Sequence, residues 1–298
     1  MTATRISEDE LRLRIEGCPR LGSLSSIHLA LGSLLRDQHS QASQFAEIIS
    51  RDPSLTARLL RMVNSVYFGL GSQVGTIEDA VLYLGLRQVR SLALATPVLE
   101  EMSVLGGTST QVPWRDFWLH TLACAFGTRD ILTLSDFAVG DDTDYIVGLL
   151  QNVGKVVMAR VFPAEFKALY VIQYESESHA LESERTLLGW DHAAIGAYYL
   201  ESHRIPAPIV QAVRFHHAPH LADGTNHLAA AANLADGYAR FSGLSSGVEL
   251  RPPPTESALV DSHSAEIIWG ADRAIRSSQM RPLTDGFARL PEMMKSLL

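Results

Sequence analysis

The sequence predicts an all-α protein: an N-terminal helical subdomain packed on a helical bundle, followed by a C-terminal helical appendage. Three observations carry this. Apolar residues recur at spacings of three and four through nearly the whole chain, strand-like alternation bounded by turn pairs is scarce, and cap or stop residues bracket the periodic segments. With 298 residues, 46% hydrophobic and 19% charged, the chain can bury a sizeable core. The opening residues "MTATRISEDELRLRIEG" mix charges without an apolar run, so they do not read as a secretory signal. The longest apolar stretches, such as "VLYLGL" and "IVGLL", are too short to span a bilayer, and a cytoplasmic protein is expected. Cys18 and Cys124 lie far apart and outside any C-x-x-C pattern, which excludes a zinc ribbon and a disulfide framework and leaves small buried hydrophobes. A net charge of -8 opposes non-specific adhesion to nucleic acid.

Taken in order, residues 1–19 form a lead-in and the first strong pattern is "SQFAEIISRDPSLTARLLRMVNSVYFG". Phe45, Ile48 and Ile49 make one stripe, and Leu55, Leu59, Leu60 and Val63 the next; Asp52 and Pro53 between them suit a helix start. Asn64, Ser65 and Gly69 read as an architectural helix stop. Thr76 and Asp79 make a capping box, Gly85 a helix end, and "LRQVRSLALATPVLEEM" a further helix with Leu86, Val89, Leu92 and Ala93 on one face. Residues 20–102 thus form the first helical subdomain. "SVLGGTSTQV" is a joint, and residues 114–242 carry the bundle, opening with the aromatic cluster Trp114, Phe117 and Trp118. The segment 243–257, "GLSSGVELRPPPTES", breaks every periodicity and reads as a second joint; 258–298 are C-terminal helices whose Ile267, Ile268 and Trp269 can dock on the body.

The bundle region is notable for His120, the "GLLQNVGK" run, His192, the adjacent His216 and His217, and Asp236 in "NLADGYA". Imidazoles and carboxylates spread over several helices of a bundle can converge on a metal, although a lone helical histidine is more often a satisfied core group. The order of these motifs, together with "IISRDPSLTARLLRMVNSVYFG" and "IEDAVLYLGLRQVRSLALA", resembles the HDOD branch of the HD superfamily over residues 20–242. That resemblance implies an HD-like bundle and bacterial signal transduction. It aligns His120 with the first ligand of the catalytic HD enzymes, Gln151 and Asn152 with their His-Asp doublet, and Asp236 with the final carboxylate. Lys155 aligns with a lysine that follows the doublet in the HD-GYP branch, and His192, His216 and His217 with further ligands found there.

Gln151 and Asn152 offer neutral amide oxygens where a metal-dependent hydrolase needs an imidazole and a bridging carboxylate to hold a cation that acidifies water. Their donors and acceptors suit a buried network with His120 and Asp236 instead. A non-catalytic regulatory module is therefore expected, without a cofactor and acting on signalling proteins, of a two-component or cyclic-di-GMP network by the resemblance. Three competing readings stand beside it. His192, His216, His217 and Asp236 hold a divalent metal; the chain is a metal-dependent phosphohydrolase of a cyclic nucleotide; or it binds nucleic acid or another anion through a patch of Arg58, Arg61, Arg87 and Arg90.

Overall fold

In a computed structural model of the chain, the described residues are 6–19, 73–106, 113–137, 142–224 and 226–295, with Val139 and scattered positions between 46 and 64. Their regular secondary structure is helical, apart from an isolated bridge between Gln173 and Leu250. The chain divides into two units, residues 21–103 with 288–298, and residues 1–20 with 104–287.

In the smaller unit the described side chains of Ala46, Ile49, Leu59 and Val63 are buried, while Phe45, Ile48, Leu55, Asp52 and Pro53 lie outside the described residues. Asn64 ends its helix by more than local bonding. Its side-chain nitrogen donates to the carbonyls of Leu60 and Val74, each at 2.8 Å, and its oxygen accepts from the Val74 amide at 2.6 Å, tying residue 64 to residue 74. The capping box is present: the Thr76 hydroxyl accepts from the Asp79 amide at 3.0 Å and donates to the Asp79 carboxylate at 2.7 Å. It opens a helix over Ile77–Leu84, which Gly85 ends at φ 80°, a left-handed value favouring glycine, before the helix Leu86–Gly106 begins.

The larger unit begins with α1 (Glu8–Glu16), capped by Ser7, with Leu11 and Ile15 buried. Its core helix α2 (Trp114–Thr133) is buried along most of its length, including Phe117 and Trp118, so the aromatic cluster is largely core packing. It packs against α3 (Thr143–Leu150) and α9 (Asn226–Phe241). At the α2–α3 junction, buried Arg129 pairs with Asp142 at 2.8 Å and Asp144 at 3.0 Å. Gln151 and Asn152 form the turn between α3 and α4 (Val153–Val161), and α5 (Pro163–Tyr170) and α6 (Glu177–Leu188) follow. α7 (His192–Ser202) crosses α4 backbone to backbone: a Cβ on Gly154 would lie 1.8 Å from the His192 carbonyl oxygen. α8 (Ala207–Phe215) ends at His216.

The segment 243–257 lacks helical periodicity as expected, yet it is no exposed linker. Leu244, Ser246, Val248 and Glu249 are buried, and the strap lies against the bundle before α10 (Glu256–Val260), α11 (His263–Trp269) and α12 (Arg273–Lys295). α11 packs on α9, with Ile268 buried and the Trp269 indole donating to the Leu134 carbonyl at 3.0 Å. No single helix among the described residues is long and apolar enough to cross a membrane.

Candidate functional site

Six segments bring the sequence-singled residues together inside the larger unit. α2 supplies His120, the α3–α4 turn Gln151 and Asn152, α4 Lys155, the start of α7 His192, the end of α8 His216 and His217, and α9 Asp236. All are buried except His217, which is half-buried. The ligand-type atoms fall into two groups, His120 with Cys124 and Asp236, and His192 with His216 and His217. Asp236 therefore sits with His120 and not with the three other histidines it was grouped with from sequence.

The first group is closed on itself. His120 Nε2 bonds Asp236 Oδ1 at 2.9 Å and lies 3.4 Å from the Cys124 sulfur, and Nδ1 meets the Leu244 carbonyl at 2.7 Å. The second Asp236 oxygen accepts from Arg251 at 3.3 Å. Burial works against an imidazolium here, but the Cys124 sulfur and the Asp236 carboxylate more than offset it, raising the His120 pKa to about 10. Burial likewise opposes the Asp236 charge, yet His120, Arg251 and Arg240 hold its carboxyl well below the usual range. Asn152 reaches His120 and Asp236 only at 3.5 Å, and the Gln151 amide, beside Cys124, finds no oxygen or nitrogen partner among the described residues. The amide network expected from sequence is thus looser than the His120–Asp236 pair, which carries the contact.

The second group is oriented from outside. His192 Nδ1 bonds Glu184 Oε2 at 2.8 Å, His216 Nδ1 the Val213 carbonyl at 2.7 Å, and His217 Nδ1 lies 3.2 Å from Glu177 Oε1. His192 Nε2 and His217 Nε2 are 3.0 Å apart. Burial first, then neighbouring positive groups, lower the pKa of His192 and His216 well below 6.5. Burial raises Glu184 to about 7, whereas His217 and Arg251 overcome burial to draw Glu177 down to about 2.

Sequence reasoning missed Cys124 as a polar participant and missed Glu177, Glu184, Glu249 and Arg251 altogether. Lys155 pairs with Glu249 at 2.5 Å, and Arg251 contacts Glu249, Glu177 and Asp236. Glu249 and Arg251 lie in the strap, where low periodicity gave no hint of burial. Cys124 stands four residues after His120, on the same helix face, which is the one signal that placed it beside the pocket. The arginine patch fares differently. Arg58 and Arg61 lie outside the described residues, Arg87 is half-buried, and Arg90 is only 3% exposed, so Arg90 offers no charge to solvent.

At the HD position His120, Cys124 and Asp236 bring ligand atoms close together, but these atoms are already paired within the protein. Both Asp236 oxygens are claimed by protein cations, His120 Nε2 faces the carboxylate and a thiol, and two amides hold the doublet positions. The three remaining histidines, with Nδ1 hydrogen-bonded on His192 and His216 and beside Glu177 on His217, offer ligand atoms close enough together for a cation.

The helical bundle with its altered pocket is an HD-like fold. The HDOD domain family matches residues 21–219, and the chain belongs to that family. An HDOD domain protein of unknown function from Geobacter sulfurreducens has a similar structure, with a TM-score of 0.75 at 21% identity, covering 96% of this chain and 99% of that one. A protein from Shewanella amazonensis described as a phosphohydrolase candidate has a TM-score of 0.66 at 23% identity, covering 97% and 98%. At these identities the likeness concerns the fold. An uncharacterized protein of Treponema pallidum (strain Nichols) is 29% identical over 234 residues, which span 76% of this chain but 43% of that relative's length.

Proposed function

We propose that the chain is a non-catalytic regulatory module of bacterial signal transduction that works in the cytoplasm through contacts with signalling proteins, of a two-component or cyclic-di-GMP network, with the altered HD pocket available to sense a ligand. One observation supports this above the others: at the position where a hydrolase binds its cation, Asp236 is held by His120 at 2.9 Å and Arg251 at 3.3 Å. A buried carboxylate neutralised by fixed protein cations stabilises the bundle but cannot polarise a water for attack on a phosphoester. Gln151 and Asn152 add no charge that would compete for a metal there.

The test is an assay of the full chain with cyclic di-GMP and with bis-p-nitrophenyl phosphate, in the presence of Mn²⁺ or Fe²⁺, followed by product chromatography. The expected result is no product above the protein-free control. Stoichiometric turnover that disappears on Asp236→Asn would replace the regulatory reading with the phosphohydrolase one.

A further inference from the structure

The strap from Leu244 to Arg251 seats a cation of its own among the carboxylates of the pocket. Arg251 Nη2 donates to Asp236 Oδ2 at 3.3 Å and to Glu177 Oε1 at 3.0 Å, and its Nε lies against Glu249. These carboxylates come from α9, from the first turn of α6 and from the strap itself. A planar guanidinium, with donors fixed around its edge, serves several such carboxylates at once, which a compact ammonium does less well. The Arg251 side chain is 12% exposed, so one edge of the group reaches solvent.

The strap is fastened around that group chiefly by polar contacts. Glu249 bonds Lys155 on α4 at 2.5 Å, and the Leu244 carbonyl accepts from His120 Nδ1 at 2.7 Å. The Leu250 carbonyl accepts from the Tyr174 amide at 2.7 Å, and the Arg251 carbonyl from Arg240 at 2.9 Å. Its buried apolar side chains are Leu244 and Val248, whereas Leu250 is largely outside. Buried ion pairs return little net free energy, because desolvation of both partners offsets their attraction. A segment held this way can open locally while the apolar bundle beneath it stays folded. Gly243 and Gly247, at φ 82° and 68°, stand at the entry and in the middle of the strap, where only glycine turns without strain.

We propose that Asp236 and Glu177 form a guanidinium-binding site filled in cis by Arg251, and that the strap is the latch whose opening vacates it. The site stands on the contacts above; its use as a gate to the pocket rests on the regulatory reading. With the strap closed the site is self-occupied. With it open, two carboxylates face an entering guanidinium group.

The experiment follows thermolysin cleavage within 244–251 of the full chain, together with amide exchange at Tyr174. In the parent, the Tyr174 amide should exchange at least about 10-fold faster than amides in the middle of α2, through local opening. Arg251→Ala should speed strap cleavage about 10-fold or more, with cleavage in α2 and α9 unchanged. Guanidinium chloride at about 10 mM should return that rate to within about 2-fold of the parent, while equal sodium chloride or urea should not. Circular dichroism checks the fold. Should Arg251→Ala be unfolded, recovery of its helical signal with guanidinium reads the site, and Arg251→Lys, which keeps the charge without the fork, reads the latch by faster strap cleavage. Strap cleavage at the parent rate in a folded Arg251→Ala, or a Tyr174 amide that exchanges only as slowly as α2, overturns the latch. A defect that guanidinium does not reverse, or that sodium chloride reverses equally, overturns the guanidinium site. Phosphoester turnover by the parent, read separately, would overturn the regulatory function and leave the guanidinium site standing.

Discussion

Two buried histidine populations pull stability in opposite directions with pH. His192 and His216 have folded pKa values well below 6.5, so below pH 6.5 the unfolded chain takes up protons first. Their contribution is present above 6.5 and lost as pH falls beneath it. His120 is raised to about 10, so its contribution is full below 6.5 and lost as pH rises through about 10. Glu177, drawn down to about 2, adds stability above the ordinary glutamate range that is lost as pH falls towards 2. Stability should therefore fall off at both pH extremes; between pH 7 and pH 5 the two neutral histidines lower the urea midpoint, while Glu184 and Asp130, raised by burial to about 7 and about 6, oppose them. Each neutral histidine can add up to about 1.4 kcal/mol per pH unit to that slope. His216→Gln should remove its share, and an unchanged slope would contradict the assignment. Of these roles, the presence of ionisable groups was legible in the sequence, but the opposite signs were not. They depend on burial and on the balance of charge around each ring: Lys155 and His217 beside His192, Cys124 and Asp236 beside His120.

Among the helices, close crossings explain sequence features that motif reading left unassigned. Gly154 in "QNVGK" is required because α4 and α7 meet backbone to backbone there, Gly196 lying opposite. Gly154→Ala has no room for its methyl group and should cost about 1–3 kcal/mol or more in denaturant unfolding, as overpacking does; a cost below about 0.5 kcal/mol would show that the crossing relaxes freely. The strap is the second case. Glu249→Met alone strands buried Lys155 and should cost roughly 3–5 kcal/mol, Lys155→Met less because Glu249 keeps Arg251, and the double variant should cost less than Glu249→Met. A double-mutant cycle by urea denaturation reads the coupling, and additive losses would mean that the two side chains act independently. The capping box at Thr76 and Asp79 was readable because its bonds span three residues. The strap's burial was not, because Glu249 finds Lys155 across 94 residues of chain.

For the whole molecule, charge sets the clearest expectation. A chain with a net charge of -8, whose Arg90 is buried, has little with which to neutralise phosphates. Duplex DNA should not be retarded by the full chain in a mobility-shift titration at about 0.15 M salt, where non-specific binders have dissociation constants of roughly 10⁻⁴–10⁻⁶ M or weaker. Tight, salt-sensitive retardation would point to the nucleic-acid reading instead. The chain divides at residues 103 and 104, inside the helix Leu86–Gly106, although the run of Gly, Ser and Thr beginning there reads as a joint in the sequence.

The sequence by itself determined the helical class, the caps of individual helices, the family, and the roll of histidines and amides in the bundle. These rest on periodicity, on hydrogen bonds spanning three or four residues, and on motif order, all of which are local or linear. Only the tertiary structure decided that Asp236 joins His120, that three other histidines face one another, and that a loop without periodicity supplies Glu249 and Arg251 to the interior. The physical reason is that a buried charge must find its partner wherever packing places one, and one chain segment carries no record of the residues that another will bring beside it.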